Sequence, residues 1–271
     1  MYPTSVKAVY FSPAGKTKKA VSALASRISK LLDIPAENID ITPKPSRKDT
    51  IFFNENDIVV FGMPVYAGRI PNKLVEDICT KFKANGSYFI SVVTFGNRSF
   101  DNALAELNAQ ISDFGGRVIA SAAVVCEHTF TDKLAFSRPN ARDLENIGTF
   151  ADKAVKKLSC DHVASVSVPG VKEGPYYIPL DENGNRAVFL KAVPRTDKQR
   201  CINCKRCVKV CPMGSIDVQD TSCIHGVCIK CHACIKTCTQ NAKYFDDPAF
   251  LSHVKMLEKT YTKRRESEFF V

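Results

Sequence analysis

The chain has 271 residues, 45% hydrophobic and 24% charged, with a formal net charge of +10 and twelve cysteines. That length allows one medium and one small domain. No apolar run approaches the ~18 residues of a membrane span, and the start MYPTSVKAVYF lacks the pattern of an export signal. Lys and Arg are scattered rather than striped along one element, which argues against a nucleic-acid binder. With so many cysteines and no export signal, the expected home is a reducing cytoplasm.

The first 165 residues alternate strand and helix. Val6 to Ser12 reads as a buried strand. The helix from Gly15 to Leu32 sets Ala20, Leu24, Ile28 and Leu31 on one face. A short strand, Asn38 to Thr42, precedes DIVVFGM at Asp57–Met63, which reads as buried on both sides. Pro71 opens a helix with Leu74, Ile78 and Phe82 inward; Tyr88 to Phe95 is a fourth strand. A helix carrying Leu104, Leu107, Ile111 and Phe114 leads to a fifth strand, Val118 to Cys126. The last helix of this part carries Leu144, Ile147, Ala151, Ala154 and Leu158. Five strands with intervening helices imply a parallel sheet covered on both faces, with ligands at the carboxyl ends of the strands.

The loops at those ends carry the chemistry. After strand one, Phe11-Ser-Pro-Ala-Gly-Lys-Thr17 runs straight into a helix. Backbone N–H groups in such a turn form an anion nest, and the helix N-terminus adds partial positive charge. This is a phosphate site by physics alone. A nucleotide P-loop, G-x-x-x-x-G-K-S/T, would need glycine where this chain has Tyr10. The loop instead looks like the flavodoxin phosphate loop, T/S-x-T-G-x-T: Ser12, Gly15 and Thr17 match, Ala14 replaces a threonine, and Lys16 offsets that loss with charge. After strand three comes Gly62-Met-Pro-Val-Tyr-Ala-Gly-Arg-Ile-Pro71, and after strand four Thr94-Phe-Gly-Asn-Arg-Ser99. Flavodoxins wrap the isoalloxazine ring at these places. Pro64, Val65, Tyr66, Ala67 and Gly68, with Thr94, Phe95, Gly96 and Asn97, are the expected contacts of an FMN. Tyr66 or Phe95 would stack on the ring, and Gly62, Gly68 and Gly96 would let backbone approach it.

Residues 166–194 read as a linker. Tyr176–Leu180 and Arg186–Leu190 flank Asp181-Glu-Asn-Gly-Asn185, and Asn-Gly between apolar runs is a hairpin signal. It is expected to pack between the two domains.

Two cysteine runs follow: Cys201-x-x-Cys204-x-x-Cys207-x-x-x-Cys211 and, 27 residues later, Cys228-x-x-Cys231-x-x-Cys234-x-x-x-Cys238. Eight thiolates at this doubled spacing fit two 4Fe–4S clusters. Structural zinc takes four ligands from two pairs, not two runs of four, and a disulfide scaffold needs an oxidising compartment. Residues 195–245 resemble a bacterial two-cluster ferredoxin, except that Thr239 stands where the family usually has proline. In that family the fourth cysteine of each run ligates the other cluster. The resemblance therefore implies one cluster on Cys201, Cys204, Cys207 and Cys238, and another on Cys228, Cys231, Cys234 and Cys211. Two oxidised clusters with their thiolates bring about −4 and a flavin phosphate about −2, so the loaded protein would sit near +4. From Arg195 to Lys243 the chain still has nine Lys/Arg against three Asp, a composition suited to an acidic partner or an anionic substrate.

The other cysteines are read separately. Cys79, sharing a helix face with Val75 and Phe82, is expected in the core; Cys160 is incidental; Cys223 packs between the runs. Cys126-Glu-His128 ends strand five on the flavin side, which makes His128 the one weak catalytic candidate. The tail from Pro248 reads as a helix with Leu251, Val254, Leu257 and Tyr261 on one face, clasping the first domain.

The whole chain resembles the iron–sulfur flavoproteins of anaerobes, in which a flavodoxin-like domain is fused to a two-cluster ferredoxin. Y-F-S-P-x-G-x-T, G-x-P-V-Y-x-G-R-x-P, T-F-G-N-R and a terminal R-R-E-x-E-F-F, here Arg264–Phe270, carry the likeness. It implies a doubly wound α/β domain over 1–165 with five parallel strands in the order 2-1-3-4-5, the linker 166–194, an α+β dicluster domain over 195–246 and a tail over 247–271. It implies FMN, two 4Fe–4S clusters, and electron transfer with a redox partner protein or a small-molecule acceptor. The oligomeric state is left open. The rival is a ferredoxin-dependent flavin reductase acting on a small organic substrate; a redox sensor ranks third.

Overall fold

A computed structural model describes residues 3–160 and 163–271. In chain order come β1 (Ser5–Tyr10), α1 (Lys16–Leu32), β2 (Ala36–Asp40), β3 (Asp57–Pro64), α2 (Asn72–Lys81), β4 (Tyr88–Phe95), α3 (Ala103–Asp113), β5 (Arg117–Val125) and α4 (Ala141–Leu158). Beyond a long irregular stretch lie α5 (Arg206–Val210), α6 (Ala233–Lys236), α7 (Pro248–Thr260) and β6 (Glu268–Phe270). The main sheet is ordered β2-β1-β3-β4-β5-β6. Its first five strands pair in parallel; β6 runs antiparallel, with Glu268 opposite Ala123 and Phe270 opposite Ser121. The core thus resembles flavodoxin topology, with a mixed sheet rather than the expected five parallel strands.

The sheet forms where both faces can be covered. On β3, Ile58 and Val60 enter one core with Leu24 and Ile28 of α1 and Phe150 of α4. Val59, Phe61 and Met63 enter the other, with Leu74, Ile78, Leu107 and Ile111 of α2 and α3. Alternate residues point to opposite faces, so a strand buried on both sides must be apolar throughout. Helix α4 is fixed at its start by a capping box, Asn140 with Asp143, which satisfies two N-terminal backbone donors.

The tail is a clasp. The Asn97 amide donates to the carbonyls of Tyr261 (2.7 Å) and Lys263 (3.0 Å), and Arg265 N–H donates back to Asn97 Oδ1 (3.1 Å). Buried Arg138, paired with Asp143, donates to the Arg265 carbonyl. Beyond it, Phe269 packs on Phe150 with ring centroids 5.1 Å apart. The three-residue β6 covers an edge that would otherwise offer free backbone groups.

Four local expectations are corrected. Phe82 leaves α2 and starts a short strand, Phe82–Ala84, paired with Ile51–Phe53. Cys79 is exposed, its thiol donating to Gln110 Oε1 at 2.8 Å. Helix α7 buries Phe250, His253, Met256 and Leu257, while Leu251 is exposed; the apolar stripe read from sequence was rotated by about one position. The linker hairpin shrinks to a turn at Asp181–Asn185 with a single bridge, Leu180 to Arg186. Its flanks are engaged elsewhere: Arg69 stacks over Tyr176 at 5.0 Å and Arg98 over Tyr177 at 3.9 Å.

Candidate functional site

Three cavities lie along one line of elements. The largest, about 250 Å³, opens at the carboxyl ends of the parallel strands. Its walls include Ser12, Ala14, Lys16 and Thr17 from the first loop, Pro64, Val65, Tyr66, Ala67 and Gly68 from the second, and Thr94, Phe95 and Gly96 from the third. Gly15 and Asn97 do not line it. Gly15 shapes the entry to α1 with φ +78°, where glycine is unstrained. Asn97 spends its amide on the tail.

The first loop turns into α1 through Gly15. Ser12 Oγ accepts from Lys18 N–H at 2.9 Å, and Lys16, the first residue of α1, lines the cavity. Thr17 is buried, its hydroxyl 2.7 Å from that of Thr94, so it joins two loops. The loop glycines also meet a packing requirement. A Cβ on Gly62 would strike Val21 and Thr17, one on Gly68 would strike Asp101, and one on Gly96 would strike His128. Each makes room for the protein's own side chains.

The cavity's far wall was not legible in the sequence. Tyr177, Pro179 and Phe189 come from the linker, His253 and Leu257 from α7, and Ile229 and Lys230 from the second cysteine run. Arg69 grips Glu106 through two nitrogens and donates to the Gly174 carbonyl, while Tyr177 N–H donates to Ala67 O at 2.8 Å. The linker is thereby held against the second loop. The Tyr177 hydroxyl is buried and has no hydrogen-bond partner among the described residues, an unmet polar group on a predominantly apolar site.

His128 is half-buried on the cavity wall, its ring lying against Gly96 and its Nδ1 accepting from Phe130 N–H at 3.2 Å. Burial, reinforced by His253, Arg98 and Lys236, depresses its pKa to about 4. The imidazole is neutral near pH 7 and ill suited to act as a strong acid. Burial pushes the Cys126 thiol up to about 12, so this cavity-wall cysteine is not a thiolate.

The two smaller cavities are each lined by four cysteines. One has Cys201, Cys204, Cys207 and Cys238; the other has Cys211, Cys228, Cys231 and Cys234. The local backbone repeats. Asn203 and Lys205 in the first run, and Lys230 and His232 in the second, all have φ of 55–61°. Such alternation turns successive N–H groups inward as a nest for negative charge. Ser215 N–H points at Cys211 Sγ (3.4 Å) and Ala242 N–H at Cys238 Sγ (3.3 Å), again 27 residues apart. Among the described residues, no three His, Cys, Asp or Glu side chains are gathered around a single-ion position; each cysteine set lines a space rather than a point. Burial raises the pKa of Cys207 and Cys228 and pushes Cys231 and Cys234 up to about 12. As thiolates these groups require compensating positive charge, which an iron–sulfur core supplies.

The cavities adjoin. Ile229 and Lys230 line both the large cavity and the one with Cys228 and Cys231. The Tyr66 phenol on the wall of the large cavity is held well above its ordinary pKa, by burial first and then by Cys231 and Cys228. Thr129 Oγ1 donates to Cys231 O at 3.5 Å, and the ring of Phe130 lies 4.9 Å from that of His232. Glu127 reaches Lys16 and Lys236, each at 3.3 Å. Buried Arg47 bonds the Ile41, Thr42 and Pro212 carbonyls. The other cysteine set is farther out, with Cys204 exposed.

A family model described as a 4Fe-4S dicluster domain matches residues 180–255. No curated protein matches the chain. Among solved structures, a flavodoxin from the domain Archaea is 14% identical, with a TM-score of 0.42 over 58% of this chain and 100% of that one. Streptococcus pneumonia TIGR4 flavodoxin is 17% identical, with a TM-score of 0.41 over 57% of this chain and 99% of its own. A Fusobacterium nucleatum flavodoxin mutant bound to flavin mononucleotide is 13% identical, with a TM-score of 0.39 over 58% and 98%. By its own strand order and the dicluster match, the chain joins a flavodoxin-like fold to an iron–sulfur dicluster segment, the composition of a redox protein.

Proposed function

We propose that the protein is an electron-transfer iron–sulfur flavoprotein, with FMN in the large cavity and a 4Fe–4S cluster in each cysteine-lined one. The observation that carries this reading is the shared wall: Ile229 and Lys230 separate the large cavity from the set Cys211, Cys228, Cys231 and Cys234. When bound, the clusters pass single electrons and the flavin holds one or two. The protein's part is placement. The α1 N-terminus and Lys16 hold the phosphate, the loops around Tyr66 and Phe95 hold the ring, and Tyr177, Phe189 and His253 cover it. The domains are assigned as 1–165, 166–194, 195–246 and 247–271. Exposed Cys204 supports electron exchange with a redox partner protein or small-molecule acceptor at the outer set, whose surroundings are basic. The reductase reading is weaker, because His128, with its depressed pKa, is neutral and a poor proton donor.

Metal and flavin analysis of anaerobically purified protein tests the proposal. About eight iron atoms and one FMN per chain are expected, at about four irons per cluster. A chain loaded with zinc and free of iron would contradict it.

A further inference from the structure

Lys243 is the one buried lysine among the described residues, 4% exposed. The two buried arginines have carboxylates: Arg47 pairs with Asp77 and Arg138 with Asp143. Lys243 pairs with none among the described residues; its ammonium donates to the Thr221 carbonyl. A buried charge without a counter-charge is costly, so the compensating negative charge must lie close by. Lys243 lines the cavity of Cys201, Cys204, Cys207 and Cys238, and its charge acts on Cys207 and, across the pair, on Cys228 and Cys234.

The internal repeat sharpens the point. The residue 27 positions earlier is Ile216, which lines the other cavity. Equivalent positions thus present an alkyl group to one cysteine set and a cation to the other. Lys198, Arg200, Arg206 and Lys209 are exposed, where water and salt screen them; a buried charge is screened far less.

We propose that Lys243 is an electrostatic positioning residue that raises the reduction potential of the cluster on Cys201, Cys204, Cys207 and Cys238, and to a lesser degree that of its neighbour. This rests on the two-cluster reading above. An electron added to a thiolate-ligated cluster makes it more negative, and a fixed ammonium at the wall favours that state; net charge is one determinant of such potentials.

The test is an anaerobic redox titration followed by electron paramagnetic resonance, with iron counted first. Lys243→Gln keeps a donor for Thr221 but removes the charge; Lys243→Arg keeps the charge. The expected result is a shift of both midpoints to lower potential in Lys243→Gln, larger for the Cys201 set, and wild-type midpoints in Lys243→Arg. Loss of the Cys201-set cluster in the glutamine variant with retention in the arginine variant would also support the charge role. Two intact clusters with unshifted midpoints in Lys243→Gln would overturn the inference alone, and so would loss of the cluster in both variants. Wild-type protein without iron would overturn the two-cluster reading as well.

Discussion

At residue scale, the first loop makes the sharpest claim. Gly15 has φ +78° and open space where a Cβ would go, so substitution there tests backbone conformation rather than crowding. A branched side chain in that region costs about 1–2 kcal/mol, on the order of tenfold in affinity if loop and ligand are coupled. Gly15→Val is expected to weaken FMN binding by about that factor. Thr17→Ala, which cuts the tie to Thr94, is expected to weaken it somewhat less; both variants should keep their iron. Flavin titration by fluorescence checks this, and unchanged affinity in both would mean the phosphate lies elsewhere. His128 carries a different expectation. Its folded pKa of about 4 lies below the ordinary 6.5, so the unfolded chain binds more protons between those values. Its contribution is present above about pH 6.5 and is lost as pH falls toward 4. The ceiling is about 3 kcal/mol. Chemical denaturation of wild type and His128→Phe across that window should show a shallower pH slope in the variant; equal slopes would refute the burial argument. The loop motifs were legible because their residue types are unusual in combination. The packing reasons for Gly62, Gly68 and Gly96 were not, because the side chains they accommodate come from elsewhere in the chain.

Among the elements, the long ones could be read from periodicity alone: β3 and β4 are mostly apolar and buried along nearly their whole length, and α1 and α4 keep one buried stripe. Short or context-dependent ones could not. β6 has three residues and exists because β5 has a free edge and Asn97 and Arg138 hold the tail beside it. The α7 stripe was misjudged because His253 counted as polar; in the fold it is buried, its ring Nδ1 2.8 Å from the Leu180 carbonyl. The cysteine runs make a testable claim about connectivity. Cys211 sits after α5 yet lines the cavity of Cys228, Cys231 and Cys234. Cys211→Ala is therefore expected to damage that cluster and largely spare the other. Electron paramagnetic resonance of the reduced variant should show one signal altered; loss confined to the Cys201 set would contradict the crossing.

At the scale of the whole molecule, the linker and tail matter most. They turn an open flavodoxin-like cleft into a walled cavity by bringing Tyr177, Phe189, His253 and Leu257 over the strand ends. The cysteine segment is held directly against the first domain by Arg47 on the Pro212 carbonyl, Glu127 on Lys236 and the ring of Phe130 on His232. None of this could be read from local sequence, since each contact joins residues far apart in the chain. Under the electron-transfer reading proposed above, the order of sites is exposed Cys204, then the set beside Ile229 and Lys230, then the large cavity. Stopped-flow absorbance under anaerobic conditions, with a low-potential one-electron donor, tests that route most directly. In wild type, flavin reduction should follow cluster reduction; Cys228→Ala should slow the flavin phase by at least an order of magnitude, while His128→Ala leaves it nearly unchanged. If Cys228→Ala reduced its flavin at the wild-type rate, or if His128→Ala abolished turnover of a small substrate while cluster-to-flavin transfer stayed intact, the electron-transfer account would be wrong.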